Sequence, residues 1–411
     1  MVYKVFGSCR GCGSTELVDV GSLGEQPLTG VFLNSPDKQP PLAPLDLQTC
    51  TSCGLLQLKH EVNRDEMYRT YFYRSSINQT MVTHLTDIAT RVSKEFLPSG
   101  GLIIDTGCND GTFLKALGRS DVTKVGVDPS DSVRRINDPA ITVFNDYFPS
   151  ERLSAFLGSR KASVITSISM FYDINNPHDF INAVCESLAD DGVWVVEMNY
   201  TGDMLKNAAF DMVSHEHVTY YTMRTFADLV GTHGLSVFRI EYTKINGGSI
   251  RLYCSRSRRP ERSVGEFENF ERDNGLNTLA VHQEFFDRCV AFKASLNSLL
   301  HQKLKAGKRI ATYGASTRGN AILLFCGLTN AEISFAADRN PEKVGLYCPG
   351  SGIPIVSEEY FRQSDIDCLL ILPYGFLEEF IARETAFLAS GGEFIIPFPT
   401  LSVLGLRNIA V

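Results

Sequence analysis

The sequence predicts an α/β protein made of a small cysteine-bearing lobe and two parallel-sheet domains. Three observations support this fold class: two Cys-x-x-Cys pairs near the start, and two separate series of apolar, strand-like runs, over 99–255 and 309–396. The members of each series alternate with helical stretches, a rhythm typical of doubly wound parallel sheets whose faces are covered by helices. At 411 residues the chain is also too long for one hydrophobic core.

Composition and charge narrow the class of protein. Hydrophobic residues make up 44% and charged residues 21%, with a formal net charge of −8, so no broad surface for polyanions is expected and nucleic acid is not a predicted partner. No run of about 18 uncharged apolar residues and no signal-peptide pattern is present, so no membrane span is expected. We therefore expect a cytoplasmic enzyme that is a monomer or a weak homodimer.

Four cysteines in the first lobe, which we place at residues 1–75, predict a zinc site. They are Cys9, Cys12, Cys50 and Cys53. Each Cys-x-x-Cys pair is followed by glycine and turns tightly enough to direct two thiolates at one ion. Four thiolates leave no position for water, so the metal is expected to stabilise a lobe that has too little apolar material for its own core. Redox-active dithiols are the alternative interpretation.

The two larger domains follow in order. A helical pattern over 76–97 ends at Pro98 and opens a domain that we place at 76–262. Its predicted strands are 102–105, 124–128, 163–167 and 192–197. A second helical stretch, about 263–306, opens the last domain, placed at 263–411. Its predicted strands are 309–314, 333–337, 368–372 and 393–396.

The run Asp105-Thr-Gly-Cys-Asn-Asp-Gly111 follows a predicted strand and opens a helix, which favours a nucleoside-binding loop. Glycines let the backbone approach a ligand closely, and Asp128 ends the next strand, where it suits ribose hydroxyls. The spacing differs from G-x-G-x-x-G and favours a compact adenosine ligand over a dinucleotide; a purely structural turn is the alternative. The predicted cofactor-binding residues are Asp105, Gly107, Asn109, Asp110, Gly111, Asp128, Asn145 and Asp146, the last two as caps for the adenine amine.

Residues 210–221 contain His215-Glu216-His217 followed by Tyr220 and Tyr221. The loop at 105–111 looks like the S-adenosylmethionine loop of class I methyltransferases. Together with this segment and the paired cysteines, it resembles the sugar C-methyltransferase family of deoxysugar pathways over nearly the whole chain. The resemblance implies a zinc-binding lobe, a central Rossmann-like methyltransferase domain and a second Rossmann-like domain. It also implies methyl transfer to carbon 3 of a thymidine-diphosphate 4-keto-deoxysugar.

Methylation at carbon requires removal of a proton beside a carbonyl, which gives an enolate, and histidine is suited to be the base near neutral pH. The resemblance selects His217 as that base. Glu216 is expected to orient an imidazole or bind a sugar hydroxyl, and Tyr73 or Tyr221 to donate to the enolate oxygen. Tyr73 is chosen over Tyr71 because the family's Y-x-Y-x-S-S segment contributes a tyrosine. Aromatic core packing, and a metal site at the two histidines, are the alternatives.

Four residues are predicted to bind the substrate: His215, Asn246, Ser316 and Arg318. The run 313–320 follows a strand and precedes a helix, so its amides, Ser316 and Arg318 suit the diphosphate of a nucleotide sugar; a structural turn is the alternative. Asp173 and Ser214 depart from the histidine and tyrosine of many family members, which alters hydrogen bonding to the sugar. An O- or N-methyltransferase and a non-catalytic nucleotide-binding protein are the alternative functions.

Overall fold

The computed structural model describes residues 2–28, 32–38, 40–68 and 73–405, and these form four β-sheets. Within those ranges, every helix is too short or too polar to cross a lipid bilayer. Tyr71, the alternative to Tyr73 in the sequence prediction, lies outside the described residues.

The N-terminal lobe is built from antiparallel strands. Its elements are β1 (Tyr3–Val5), β2 (Leu17–Pro27), β3 (Leu42–Cys50), β4 (Leu56–Leu58), β5 (His60–Val62) and α1 (Arg64–Tyr68). β1 pairs with β5, while β2, β3 and β4 form a sheet that is completed by a short strand from the central domain. The lobe is therefore joined to the central domain by backbone hydrogen bonds as well as by side-chain packing.

The central domain carries a seven-stranded sheet of order β12-β13-β10-β9-β6-β7-β8. Its elements are α2 (Gln79–Phe96), β6 (Gly101–Thr106), α3 (Thr112–Ala116), β7 (Val122–Val127), β8 (Ile141–Phe144), α4 (Glu151–Leu157), β9 (Ala162–Ile168), α5 (Pro177–Ser187), β10 (Leu188–Asn199), α6 (Thr201–Asn207), β11 (Thr219–Tyr220), α7 (Met223–Gly231), β12 (Ser236–Thr243) and β13 (Ser249–Ser255). β6 to β10 run parallel, and β13 is antiparallel to both neighbours. β11 pairs with β4 and is the strand that completes the lobe sheet.

The C-terminal region carries a six-stranded sheet of order β16-β15-β14-β17-β18-β19, parallel except for β19. Its elements are α8 (Arg262–Asp273), α9 (Leu279–Lys305), β14 (Ile310–Tyr313), α10 (Thr317–Cys326), β15 (Ala336–Asp338), β16 (Ile355–Ser357), α11 (Glu358–Arg362), β17 (Cys368–Ile371), α12 (Leu377–Arg383), α13 (Thr385–Ala389), β18 (Glu393–Ile396) and β19 (Ser402–Leu404). The predicted α/β class with two parallel sheets is confirmed.

Two predicted elements differ from the structure. The single helical stretch at 263–306 is two helices, α8 and α9, because the chain turns at Gly275, whose φ is +60°. The strand predicted at 333–337 begins at Ala336, although the amide of Ser334 still donates to the carbonyl of Ile310. Apolar runs locate strands well but define their first residue poorly, because flanking residues can be buried without pairing.

The helices α8 and α9 connect the parts of the molecule. The buried carboxylate of Glu271 in α8 accepts hydrogen bonds from the amides of Met223 and Arg224 at the start of α7, at 2.7 and 2.9 Å. His282 in α9 bonds through Nδ1 to the hydroxyl of Thr49 in the lobe, at 2.7 Å. The proposed domains remain residues 1–75, 76–262 and 263–411. At the start of the third domain, α8 contacts the central domain and α9 contacts the lobe.

A prediction for stability follows from the contact between the lobe and the turn between α8 and α9. At Gly54, where φ is +79°, a Cβ atom would lie 2.3 Å from the carbonyl oxygen of Asn277. At Gly13, φ is +75° and a Cβ would meet nothing within 4 Å. Gly13→Ala should cost about 1 kcal/mol, from the left-handed backbone alone. Gly54→Ala should cost roughly 1–3 kcal/mol more, from the clash.

The thermal unfolding midpoints of the two variants, measured by calorimetry, test this contact. Because both substitutions impose the same backbone strain, Gly13→Ala is the matched control, and the difference between the variants reports the contact with Asn277. Equal midpoints for the two would mean that the lobe is not packed against this turn as described.

Candidate functional site

A cleft of about 1530 Å³ lies at the carboxyl ends of the parallel strands of both large sheets. It is lined by the loops that follow β6, β7 and β9 on one side and β14, β15 and β17 on the other. The lobe contributes Met67 and Tyr68, and the segment that leaves the lobe contributes Tyr73. All three parts of the chain therefore meet at one site. Its volume exceeds the roughly 300–1,000 Å³ usual for one small-molecule ligand.

The glycine loop after β6 forms one end of the cleft. Gly107 has φ +73°, and a Cβ there would lie 2.8 Å from Cγ of Met170. Gly111 has φ +75° and caps the N-terminus of α3, where a Cβ would lie 3.0 Å from Ile136. Both positions therefore favour glycine, although only Gly107 lines the cleft itself. Asp105 also faces the cleft; burial raises the pKa of its carboxyl to about 7, and the hydroxyl of Thr166 donates to it at 2.6 Å.

Asp128 directly follows β7 and faces the same end of the cleft. One carboxylate oxygen accepts from the amide of Asn109 at 2.9 Å, and the other accepts from the amide and hydroxyl of Ser130 at 2.8 and 2.5 Å. Burial raises the pKa of this carboxyl, and these hydrogen bonds oppose that effect. About one lone pair of the carboxylate remains for a further donor such as a ribose hydroxyl.

The side chains of Asn109 and Asp110 hold the segment that leaves the lobe. The amide group of Asn109 accepts from the backbone of Ser75 and donates to the carbonyl of Tyr73, both at 3.1 Å. Asp110 accepts from the amide of Ser76 at 3.0 Å. The cofactor-binding role predicted for these two side chains is thus accompanied by a structural one: they fix the position of Tyr73 relative to the glycine loop.

Asn145 and Asp146 lie outside the cleft lining. Asn145 donates to the carbonyls of Asp128 and Ser130, both at 3.0 Å, while Asp146 accepts from Tyr147 and from the hydroxyl of Ser150. Their polar groups are occupied in shaping the loop after β8, so the structure gives no support to their predicted contact with adenine.

His217 lines the cleft with a defined tautomer. Its Nδ1 lies 2.6 Å from the carbonyl oxygen of Met212, and because a carbonyl only accepts, Nδ1 carries the proton and Nε2 keeps its lone pair. Burial lowers the pKa of His217 to about 4; the Met212 carbonyl opposes this shift, and the charge of Arg318 adds to it. The ring of Tyr172 packs edge-on against the imidazole at 4.6 Å. The imidazole is therefore neutral near pH 7 and able to accept a proton.

Glu216 and Tyr73 also line the cleft. Glu216 is buried, and its backbone carbonyl accepts from the hydroxyl of Tyr68 at 3.3 Å. Tyr73 is 45% exposed, so it can reach a ligand in the cleft. The structure thus brings three of the four predicted catalytic residues to one site.

Tyr221 and His215 lie elsewhere. Tyr221 is buried in the core, with its ring 5.5 Å from that of Phe171 and 6.0 Å from that of Phe226. His215 is buried and donates from Nε2 to the carbonyl of Ala43 in β3, at 2.9 Å. Neither lines the cleft. Their predicted roles in donation to the enolate and in substrate binding therefore gain no support; His215 instead ties the central domain to the lobe.

The two positions that depart from the family pattern face the cleft. Burial raises the pKa of Asp173 well above its ordinary value, and the charge of Glu216 raises it further. The Oδ1 atom of Asp173 and the hydroxyl of Ser214 have no hydrogen-bond partner among the described residues. Both side chains are thus placed to bind polar groups of a ligand beside His217.

The loop after β14 repeats the design of the glycine loop after β6. Gly314 has φ +87°, and a Cβ there would lie 2.6 Å from Pro373. Asp338 ends β15 and accepts from the amides of Ala315 and Asn340 at 2.7 and 2.8 Å, as Asp128 does in the central domain. Ser316 caps α10 by accepting from the amide of Gly319. This loop therefore has a hydrogen-bond pattern similar to that of the first loop and lines the same cleft.

Arg318 lines the cleft, but its guanidinium is bound by the protein. It pairs with Asp211, donates to the backbone carbonyl of Asn246 at 2.6 Å and donates to the hydroxyl of Tyr374 at 2.7 Å. Asn246, also predicted to bind substrate, thus contributes its carbonyl to Arg318, although it lines the cleft too. Asp211 and Tyr374 could not be identified from the sequence, because Arg318 contacts them across 107 and 56 positions and no local pattern signals such contacts.

The four predicted zinc ligands form a compact cluster. All pairs of sulfur atoms in this cluster are within 4.8 Å of each other; the atoms belong to Cys9, Cys12, Cys50 and Cys53. Two of the separations are 3.5 and 3.6 Å, close to the roughly 3.8 Å expected in a tetrahedron with Zn–S bonds of about 2.3 Å. The amides of Gly11 and Cys12 point at the sulfur of Cys9, which stabilises a thiolate. The donor set therefore fits a structural zinc ion.

Three family models match the chain. One described as "Putative zinc binding domain" matches residues 9–68, one described as "Methyltransferase domain" matches 77–240, and one described as "C-methyltransferase C-terminal domain" matches 244–399.

Similarity to a curated protein extends over the whole chain. "C-methyltransferase NovU" from Streptomyces niveus is 31% identical over 416 residues, which cover 99% of both chains. Among solved structures, a magnesium protoporphyrin IX methyltransferase from Synechocystis PCC 6803 with bound SAH is 15% identical, with a TM-score of 0.35; the match covers 44% of this chain and 88% of that one. The PH0226 protein from Pyrococcus horikoshii OT3 is 14% identical, with a TM-score of 0.36, covering 44% and 94%.

The cysteine cluster generates a prediction about metal content. Cys50→Ser should remove one thiolate from the tetrahedron and reduce bound zinc from about one ion per chain to less than half, because a hydroxyl is a poor zinc ligand. Mass spectrometry of metals in the purified protein measures this content. Cys185→Ser, outside the cluster, is the control and should leave it unchanged. A protein without zinc before any substitution would contradict the assignment.

The contacts of Asp128 generate a prediction about cofactor affinity. Asp128→Asn should weaken binding of S-adenosylhomocysteine roughly 10- to 100-fold, because an amide supplies one acceptor where a carboxylate supplies two. Titration calorimetry measures the affinity. Asp146→Asn makes the same change outside the cleft lining and should leave affinity within about twofold. An equal loss of affinity in the two variants would contradict the placement of the cofactor beside Asp128.

Proposed function

This chain belongs to the family of S-adenosylmethionine-dependent C-methyltransferases with an N-terminal zinc-binding domain, and we propose that its acceptor is a nucleotide-linked 4-keto-deoxysugar. The observation that carries the proposal is His217, a neutral imidazole with a free Nε2 lone pair in the cleft that the glycine loop also lines. Such a group is what proton removal from carbon requires.

S-adenosylmethionine, held by the loop after β6 and by Asp128, supplies an electrophilic methyl group. The protein's own task is to make a carbon nucleophilic. We propose that Nε2 of His217 takes a proton from the carbon beside the keto group of the sugar, while Nδ1–H remains bound to the carbonyl of Met212. The electrons of the broken C–H bond then form the carbon–carbon double bond of an enolate, whose negative charge lies mainly on the former keto oxygen.

The enolate oxygen needs a hydrogen-bond donor. Of the two tyrosines predicted as donors, Tyr73 faces the cleft and Tyr221 does not, so we propose Tyr73 for this role. Its position is supported by Asn109, which binds the carbonyl of Tyr73 and the amide of Ser75. Glu216 lies beside the base and is proposed to bind a sugar hydroxyl.

The nucleotide part of the substrate is proposed to lie against the C-terminal sheet. The loop after β14 and Asp338 repeat the hydrogen-bond pattern of the glycine loop and Asp128, which supports a nucleoside there. A cleft of about 1530 Å³ has room for a cofactor and a nucleotide sugar together. The first turn of α10, with Ser316, is proposed to face the diphosphate.

A 4-keto sugar has two acidic carbons, C-3′ and C-5′. The family resemblance supports C-3′ as the methylated position and thymidine as the nucleoside, and we propose both. The described residues contain no disulfide, and the seven cysteines outside the zinc cluster are free thiols. This accords with a reducing compartment, so a cytoplasmic location is part of the same proposal.

Exchange of substrate hydrogen with solvent tests the proposed base. In deuterated buffer with S-adenosylhomocysteine in place of the methyl donor, the native enzyme should exchange hydrogen at C-3′ of thymidine-diphosphate 4-keto-6-deoxyglucose, as measured by proton NMR. His217→Asn should slow this exchange and methyl transfer by about 10²–10⁴-fold.

His301→Ala changes an exposed histidine of α9 and should retain native rates, which makes it the control. Exchange at C-5′ instead of C-3′ would indicate that C-5′ is the methylated carbon, with His217 still acting as the base. Transfer of methyl to oxygen or nitrogen with no exchange at either carbon would refute the proposal and favour an O- or N-methyltransferase.

A further inference from the structure

We propose that Arg318 is a positioning residue for the base His217: through an ion pair with Asp211 it fixes the turn whose Met212 carbonyl holds Nδ1–H. This inference rests on the proposed role of His217. It also replaces the prediction, made from sequence, that Arg318 binds the diphosphate of the substrate.

The contacts of Arg318 leave little capacity for a ligand. Nε and Nη2 donate to one carboxylate oxygen of Asp211 at 2.9 and 2.7 Å. Nη1 donates to the carbonyl of Asn246 at 2.6 Å, and Nη2 donates to the hydroxyl of Tyr374 at 2.7 Å. Four of the five N–H groups of a guanidinium are thus engaged, and its charge is balanced by a carboxylate. A diphosphate would have to displace these partners.

Asp211 lies in the turn that supports the base. Phe210–Met212 is one turn of 3₁₀-helix; Asp211 is fully buried within it, and the next residue supplies the carbonyl bound by His217. The hydroxyl of Tyr374 also approaches both oxygens of Asp211, at 3.2 and 3.1 Å. The carboxylate of Asp211 therefore connects Arg318 and Tyr374 of the C-terminal domain to the backbone that orients the imidazole.

Electrostatics make the ion pair necessary. A buried carboxylate is strongly unfavourable without a cation beside it, so the pair with Arg318 stabilises the turn that carries Asp211. The charged and titratable groups around His217 are Arg318 from α10, Asp211 and Glu216 from its own segment, and Tyr172 and Asp173 from the turn after β9. Arg318 is the cation of this set, and it favours the neutral imidazole.

The arrangement couples the domains. Arg318 and Tyr374 belong to the C-terminal domain, and Asp211, Met212 and His217 belong to the central one. The C-terminal domain thus supports the turn that holds the base in its reactive tautomer. Binding of a nucleotide sugar between the two sheets would favour the seating of the C-terminal domain on the central domain.

Two substitutions that change the charge of the ion pair in opposite directions test the inference by NMR, without a measurement of enzyme activity. Histidine labelled with ¹⁵N is titrated by NMR in the full-length protein, and His217 is assigned by its loss in His217→Asn. Arg318→Met removes a cation and leaves an anion, so the midpoint for protonation of His217 should rise by roughly one pH unit or more. Asp211→Asn leaves the cation alone, so the midpoint should stay at or below its native value.

The ¹⁵N shifts of the neutral ring also show which nitrogen carries the proton, and release of the turn in either variant should mix the two tautomers. A single native Nδ1–H tautomer in Arg318→Met would overturn the inference. Arg309→Met, which removes a cation outside the cleft lining in the same domain, is the control and should leave His217 unchanged.

Kinetics then separate positioning from substrate binding. Arg318→Lys and Tyr374→Phe keep the charge but lose part of the hydrogen-bond network, so kcat should fall roughly 10- to 100-fold while KM for the nucleotide sugar changes less than about threefold. A large rise in KM with unchanged kcat would restore Arg318 as a diphosphate ligand. If the NMR result held while His217→Asn retained full activity, the proposed base would fail and the structural coupling would stand.

Discussion

Parallel strands all end at the same edge of a sheet, and the functional organisation of this protein depends on that constraint. In the central sheet the constraint brings the glycine loop, Asp128 and the turn carrying Tyr172 to one edge. In the C-terminal sheet it brings Gly314 and Asp338 to the corresponding edge. Because the two edges open on one cleft, two ligands can meet end to end without either sheet having to supply residues from its interior.

The chemistry at the centre of the cleft depends on a single hydrogen bond. A histidine in water divides its proton between two nitrogens, but the carbonyl of Met212 accepts from Nδ1 and so leaves Nε2 as the basic atom. Burial keeps the ring neutral, which preserves the lone pair at the cost of basicity. In the proposed reaction a weak but correctly oriented base removes a proton from carbon, and donors to the enolate oxygen supply the remaining stabilisation.

The zinc-binding lobe takes part in the site despite its distance in sequence from the chemistry. β11 of the central domain completes the lobe sheet, and the segment 214–217, which contains the proposed base, lies just before β11 in the chain. On its other side, the lobe continues into Tyr73 and Ser75, which are bound by Asn109. A zinc ion that held the lobe together would thus also support two walls of the cleft.

Features encoded locally could be predicted from the sequence alone: the cysteine pairs, the buried strands such as 163–167, the glycine loop at 105–111 and the segment that contains His217. Each depends on residues close together in the chain, so spacing and hydrophobicity reveal it. The folded structure was needed to show that Tyr221 and His215 are buried away from the cleft, and that Arg318 pairs with Asp211, 107 positions away. A side chain's role is set by the partners that folding brings to it, and contacts between domains leave no periodic trace in the sequence.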